Sequence, residues 1–203
     1  MKKILKFSFL VTLFSSVFVG CVSDTDIPTL NIPPFKETFA SNFSNWTKFS
    51  AVGAQVWSLD TQFGYDPNNT NIETSCAKMS GYAGSNNENV DWLISPVIDL
   101  SKISNASLSF YNAYKFDGPA IEVFVSNNYS GSGDPQVIGV TWTKIGGAIL
   151  SAGNYAWTNS GDLDISNFTG ANNAAVYVAF KYTSTTSAGS TWEIDEVKIK
   201  SVK

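Results

Sequence analysis

The chain has 203 residues, room for one domain of ordinary size with a leader segment. Its 13 basic residues are all lysine and it has no histidine. That excludes His-based nucleophilic sites, His-ligated zinc and the bidentate guanidinium fork used on phosphate or guanine. A formal charge of −4 is the wrong sign for a nucleic-acid binder, and 43% hydrophobic residues suffice for a core.

Met1 to Gly20 reads as a signal peptide. Lys2, Lys3 and Lys6 precede an apolar run from Phe7 to Val19 that is too short to span a bilayer comfortably. Phe18-Val19-Gly20-Cys21 resembles the lipobox of bacterial lipoproteins, in which the cysteine is acylated and becomes the new N-terminus. The expected anchor is therefore lipid on Cys21, and the body has no reason of its own to bind a membrane. With Cys21 acylated, Cys76 has no disulfide partner; it reads as a buried thiol in a strand. Residues 21–34 are polar and then Pro-punctuated, a tether. Asp24 and Asp26 resemble the acidic export signal of Bacteroidetes surface lipoproteins, which implies display on the outer membrane facing the exterior over periplasmic retention; an acidic tether kept for solubility is the plain alternative.

From Phe35 to Lys203 the apolar pattern has period two, with no helical stripe. The alternation predicts strands at Lys36–Phe39, Gln55–Leu59, Ala77–Tyr82, Trp92–Ser95, Ala106–Phe116, Ala120–Ser126, Trp142–Ile145, Ala174–Thr183 and Thr191–Ser201. Stretches rich in Gly, Asn, Asp and Ser separate them, as turns require. Nine strands without helices imply an all-β, two-sheet sandwich over 35–203. Along the last strand Trp192 and Ile194 share one parity and Val197 and Ile199 the other. This one-residue slip predicts a β-bulge at Asp195-Glu196.

Several segments in order resemble one family. They are Glu37-Thr38-Phe39; Asp91-Trp92-Leu93-Ile94-Ser95-Pro96-Val97-Ile98-Asp99-Leu100-Ser101; Leu108-Ser109-Phe110; Val125 to Gly131; Trp142-Thr143; Gly161 to Ser166; Val176 to Tyr182; and Thr191 to Val197. The order resembles the choice-of-anchor J and cleaved-adhesin group of bacterial surface domains, distantly similar to MAM domains. The resemblance implies a jelly-roll β-sandwich of the carbohydrate-binding-module type, a non-catalytic role in adhesion or ligand capture, and a structural Ca²⁺. Glu37, Asp91 and Asp195 match the family's acidic positions, and first and last strands lie close in a jelly roll, so Glu37 and Asp195 could share the ion. The plain alternative is exposed charges or turn caps.

A glycan ligand would pack its C–H faces on aromatic rings, with Asn and Asp reading its hydroxyls. Trp92 and Trp192 lie in apolar strands and read as core. Trp46, Trp157 and Tyr129 have polar neighbours and are the expected ligand contacts, with Tyr65 and Tyr82 next. Core or rim packing is the competing fate of each. An enzyme would need paired carboxylates, and the i, i+2 pairs Asp162/Asp164 and Glu193/Asp195 fall ~7 Å apart on one strand face. Neither comes with a pocket signature, and the expectation is no catalysis. The sequence thus predicts a monomeric, lipid-anchored module that captures a glycan. A protein-adhesion or scaffold subunit of an outer-membrane complex is the alternative.

Overall fold

In the computed structural model the described residues are 33–202, apart from Ser41, Ser44 and 69–73. The expected signal peptide, Cys21 and most of the expected tether lie outside them. The chain forms two antiparallel sheets. The first contains β1 (Phe35–Glu37), β3 (Ser58–Asp60), β4 (Cys76–Ser80), β6 (Ala106–Lys115), β9 (Thr158–Asn159), β10 (Leu163–Asp164) and β12 (Thr191–Ser201). The second runs β2 (Thr47–Val52), β5 (Asn89–Ile94), β11 (Tyr177–Ser184), β7 (Glu122–Ser126) and β8 (Thr143–Lys144). One 3₁₀ turn, Ser166–Phe168, joins the sheets to the loop before β11. This is the all-β jelly-roll sandwich the sequence predicts.

Alternation decides which side chains enter the core. Leu108 and Phe110 of β6, Trp192, Ile194, Val197 and Ile199 of β12, Val123 and Val125 of β7, and Val178 and Phe180 of β11 meet between the sheets and are buried. Phe110 and Phe180 join them edge to face, with ring centroids 5.0 Å apart. Trp192 is buried as expected and stacks on Tyr114 at 4.6 Å. Cys76 is free and fully buried, also as expected.

The expected bulge is present. The register of β12 against β6 shifts between Asp195 and Lys198, and Glu196 takes φ 48°. The bulge divides one edge of β12. On one side β4 pairs with Thr191 to Ile194, and on the other β1 pairs with Val197 to Ile199. Asp195 and Glu196 stand in the notch where one partner strand gives way to the other.

The second sheet buries its other face too. Trp92, Ile94, Tyr129, Tyr177 and Ala179 form a smaller core on the outer face, with Phe49, Phe124, Val140 and Trp142 packed against it. The strand β2 is missing from the sequence reading, because polar Ser44, Asn45 and Thr47 around Trp46 look like a loop.

Candidate functional site

The outer face of the first sheet carries the polar chemistry. Register places Ala113, Glu193, Lys78 and Ser58 in one row across β6, β12, β4 and β3. One row along, Asn159, Tyr111 and Asp195 lie side by side. Glu193 and Asp195 therefore point to the same side, as their i, i+2 spacing predicts. Yet both are only 2% exposed, because loops fold over the sheet.

Aromatic side chains frame this floor. Tyr65 stacks on Tyr111 with centroids 3.6 Å apart, and Trp157 meets Tyr65 edge-on at 6.1 Å. All three rings are half-buried. The Tyr111 hydroxyl beside it, with burial, pushes the Tyr65 phenol up to about 12. At the far end of β6, Phe116 and Tyr155 stand 6.5 Å apart, edge to face, with the Lys115 ammonium 5.4 and 5.6 Å from their centroids. Phe116 is 59% exposed and Tyr155 37%. Both hold positive φ, 70° and 56°, a conformation that bulky residues rarely adopt.

Between these aromatic groups the floor is charged. Lys78 Nζ lies 2.7 Å from Asp60 Oδ2. Burial pushes the Glu193 carboxyl up to about 7, with Lys78 opposing and Asp60 adding to the rise. Burial likewise lifts Asp195 to about 7, aided by the negative charges of Glu196 and Glu37 and opposed by the N–H groups of Glu196 and Tyr65. Tyr65 N donates to Asp195 Oδ2 at 2.8 Å and Glu196 N to Oδ1 at 2.6 Å. Beside the notch opens a cavity of about 330 Å³ lined by Thr38, Ala40, Tyr65, Ser75, Asp195 and Glu196, among others.

The expected sites are placed unequally. Glu37 reaches β12 just past the bulge, where it pairs with core-facing Val197, so it lies near Asp195 but its side chain turns towards the core and does not line the cavity. Its carboxylate accepts N–H bonds from Thr38 (2.8 Å), Phe39 (2.6 Å) and the Trp46 indole (3.1 Å). Asp91 does not join them. It lies on β5 in the other sheet, and its parity with Leu93 turns it into the inter-sheet core. Among the described residues no three acidic, Cys or His side chains cluster. Trp46 is 6% exposed, packed on Phe39 and Phe180 and tied to Glu37, so it offers no platform. Tyr129 is 4% exposed; it meets Tyr177 and Trp142, and its hydroxyl donates to Gly133 O. Trp157 alone of the three expected ligand contacts keeps an accessible ring. The sequence reading missed Tyr111, Lys115, Phe116 and Tyr155 and gave Tyr65 second rank. The clue for Tyr111 was its parity, opposite to Leu108 and Phe110 on the same strand.

Comparison with known proteins agrees with this architecture. The K1 cleaved adhesin domain of Lys-gingipain from Porphyromonas gingivalis W83 superposes with a TM-score of 0.53 at 19% identity, covering 83% of this chain and 98% of that one. The K2 cleaved adhesin domain of Lys-gingipain gives 0.54 at 17% identity, with 82% and 98% coverage. The CBM22-1 xylan-binding domain of Paenibacillus barcinonensis Xyn10C gives 0.50 at 12% identity, with 85% and 96% coverage. At these identities the likeness is one of fold. No curated protein matches the chain. Residues 102–203, half of the sequence, match the family described as Domain of unknown function (DUF5017), and the chain belongs to that family.

Proposed function

We propose that the protein is a non-catalytic binding module that captures a glycan on the outer face of its first sheet, between the Tyr65–Tyr111–Trp157 group and the Phe116–Tyr155 pair. The supporting observation is the combination of half-buried and exposed rings with the partly accessible Lys78–Asp60 pair between them. Ring faces attract sugar C–H groups, and fixed polar groups read the hydroxyls. The xylan-binding and cleaved-adhesin neighbours support a ligand-binding role for such a sandwich. The reading includes lipid attachment through Cys21 at the cell surface. Its test is retention of the purified chain by plant, host and microbial polysaccharides, repeated with Trp157→Ala. Retention by one class, lost in the variant, is the expected result. No retention, with capture of an outer-membrane protein instead, replaces the glycan by an adhesion or scaffold role.

We further propose that a structural Ca²⁺ sits at the notch. Asp195 and Glu37 form no ion pair among the described residues, and the cavity beside Asp195 is lined by carboxylate and hydroxyl residues whose oxygens suit a hard cation. In this reading Asp195 and Glu37 hold the ion. Chelation is expected to lower the melting temperature, and Asp195→Asn to abolish that effect. Superimposable melts with and without calcium remove the ion.

A further inference from the structure

The aromatic pair at the end of β6 stands on a backbone that its own residues disfavour. Asn154 and Tyr155 take φ 54° and 56°, and Ala156 N donates to Gly153 O at 3.0 Å, the pattern of a type I′ turn. The second central position of such a turn suits glycine, and a tyrosine there costs free energy. Phe116, the first residue past β6, also lies in the left-handed region at φ 70°. The surroundings enforce these conformations. Tyr155 N donates to Tyr114 O (3.0 Å), and Ser151 Oγ donates to Ala156 O (2.6 Å) and accepts from Gly153 N (3.2 Å). Ser151 N in turn donates to Oδ1 of the fully buried Asn112 at 2.8 Å. The strain does not serve packing, since Phe116 is 59% and Tyr155 37% exposed. It stands two rings edge to face, 6.5 Å apart, at one end of the outer face.

Lys115 adds a charge to the pair. By alternation it shares its side of β6 with Tyr111 and Ala113. Its ammonium lies 5.4 Å from the Phe116 centroid and 5.6 Å from that of Tyr155. Among the described residues it forms no ion pair, Asp117 included, whereas Lys78 on the same sheet is committed to Asp60 at 2.7 Å. The rings attract the ammonium through their π faces, but its N–H donors remain for an anion, which holds them more strongly.

We propose that this corner takes an acidic sugar unit, a uronic acid whose ring packs on Tyr155 or Phe116 and whose carboxylate pairs with Lys115. The proposal rests on the glycan reading above and narrows the ligand to a polyuronate. Aromatic rings hold a sugar by its C–H face and do not by themselves tell an acid from a neutral hexose. An unpaired ammonium shared by the two rings does. In a uronic acid the carboxylate is carried directly on the ring carbon C5. A sugar packed on either aromatic ring therefore brings its charge to that ammonium. The strained turn then has a use, because it fixes ring and charge relative to each other before the ligand arrives.

The experiment titrates the purified chain with polygalacturonate, alginate and hyaluronan, and with the methyl ester of each, which keeps the sugar backbone and removes the charge. The wild type is expected to bind at least one polyuronate about tenfold more tightly than its ester, the size of one charge-assisted contact. Lys115→Met, which keeps the aliphatic stem, is expected to bind that polyuronate no better than the ester, with ester binding unchanged. Tyr155→Ala is expected to weaken acid and ester alike. Equal affinity of the wild type for acid and ester overturns the proposal and leaves a neutral glycan as the ligand. A K115M variant that keeps the preference overturns it too. So does a K115M variant that loses both forms equally, since the lysine would then be holding the rings and not the ligand. Absence of binding to every polysaccharide, neutral or acidic, is a different result: it removes the glycan reading itself, and this proposal with it.

Discussion

The two outer faces of the sandwich start from similar materials and end differently. Each carries aromatic side chains along its central strands. On the second sheet they close on themselves: Trp92 lies 5.3 Å from Phe124 and 5.4 Å from Trp142, and Tyr129 and Tyr177 complete a buried cluster. On the first sheet the rings stand at the margins, over a floor that carries Glu193, Asp195 and Lys78. Charge makes the difference. An apolar floor lets rings collapse onto it and become core, whereas the carboxylates of the first sheet are themselves covered, at a cost that shows in their raised pKa values, and the rings pack half-buried at the margins.

The largest expected effect lies on the closed face. Trp92→Ala empties a site that is 4% exposed. Such a truncation costs ~3–5 kcal/mol. Chemical denaturation checks this, and the surviving folded fraction should still bind polysaccharide. Loss of binding per folded molecule would move the ligand site to the second sheet.

The next effect lies on the open face. The folded pKa of Glu193, about 7, is above the ordinary glutamate value of 4.5. A carboxyl raised in this way favours the folded state while protonated in it. Stability is therefore greatest below pH ~4.5, falls as pH rises towards ~7 and is level above that, a span of ~3 kcal/mol at most. Glu193→Gln removes the ionisation. It should be more stable than wild type at pH 8 by ~1–3 kcal/mol, with little difference at pH 4. Asp195, also raised to about 7, leaves part of the slope in E193Q. An unchanged pH profile in E193Q would mean that water reaches the carboxylate and that the floor is open.

Smaller still, Trp157→Ala should cost about tenfold in polysaccharide affinity, ~1.4 kcal/mol. Its cost in stability should stay below that of W92A, since the ring is half-buried and meets Tyr65 only edge-on. Equal losses in the two variants would erase the distinction between the faces.

Much of this contrast was legible in the sequence, and its limits are physical. Parity gave the facing of Glu193 with Asp195, and the slip after Ile194 located the bulge, because both are local properties of one strand. The fate of Trp46 was not local. Its indole N–H finds an acceptor nine residues upstream on Glu37, and its ring packs on Phe180 from a distant strand. Tyr129 sits in a polar Asn-Asn turn, but the Ser126 hydroxyl accepts the N–H groups of Asn128 and Tyr129 and folds the ring back onto the sheet. Asp91 was misplaced for a further reason. When both faces of a strand are covered, alternation tells that Asp91 and Trp92 point apart without telling which one enters the main core.

The smallest effect sharpens the closed face. Lys181 Nζ lies 5.7 Å from the Trp92 ring and 3.6 Å from Glu122 Oε2, so a single ammonium touches both the aromatic cluster and its acidic rim. Lys181→Met keeps the aliphatic stem against the tryptophan and deletes the charge. Glu122 retains Lys144 at 2.6 Å, so no carboxylate is stranded. The cation–π contact accounts for ~0.5–1 kcal/mol and the half-exposed ion pair for less, so K181M should lose under ~1 kcal/mol by chemical denaturation. If apolar packing closes this face, added salt leaves the difference small. A loss above ~2 kcal/mol that high salt removes would mean that charge, and not apolar packing, closes this face.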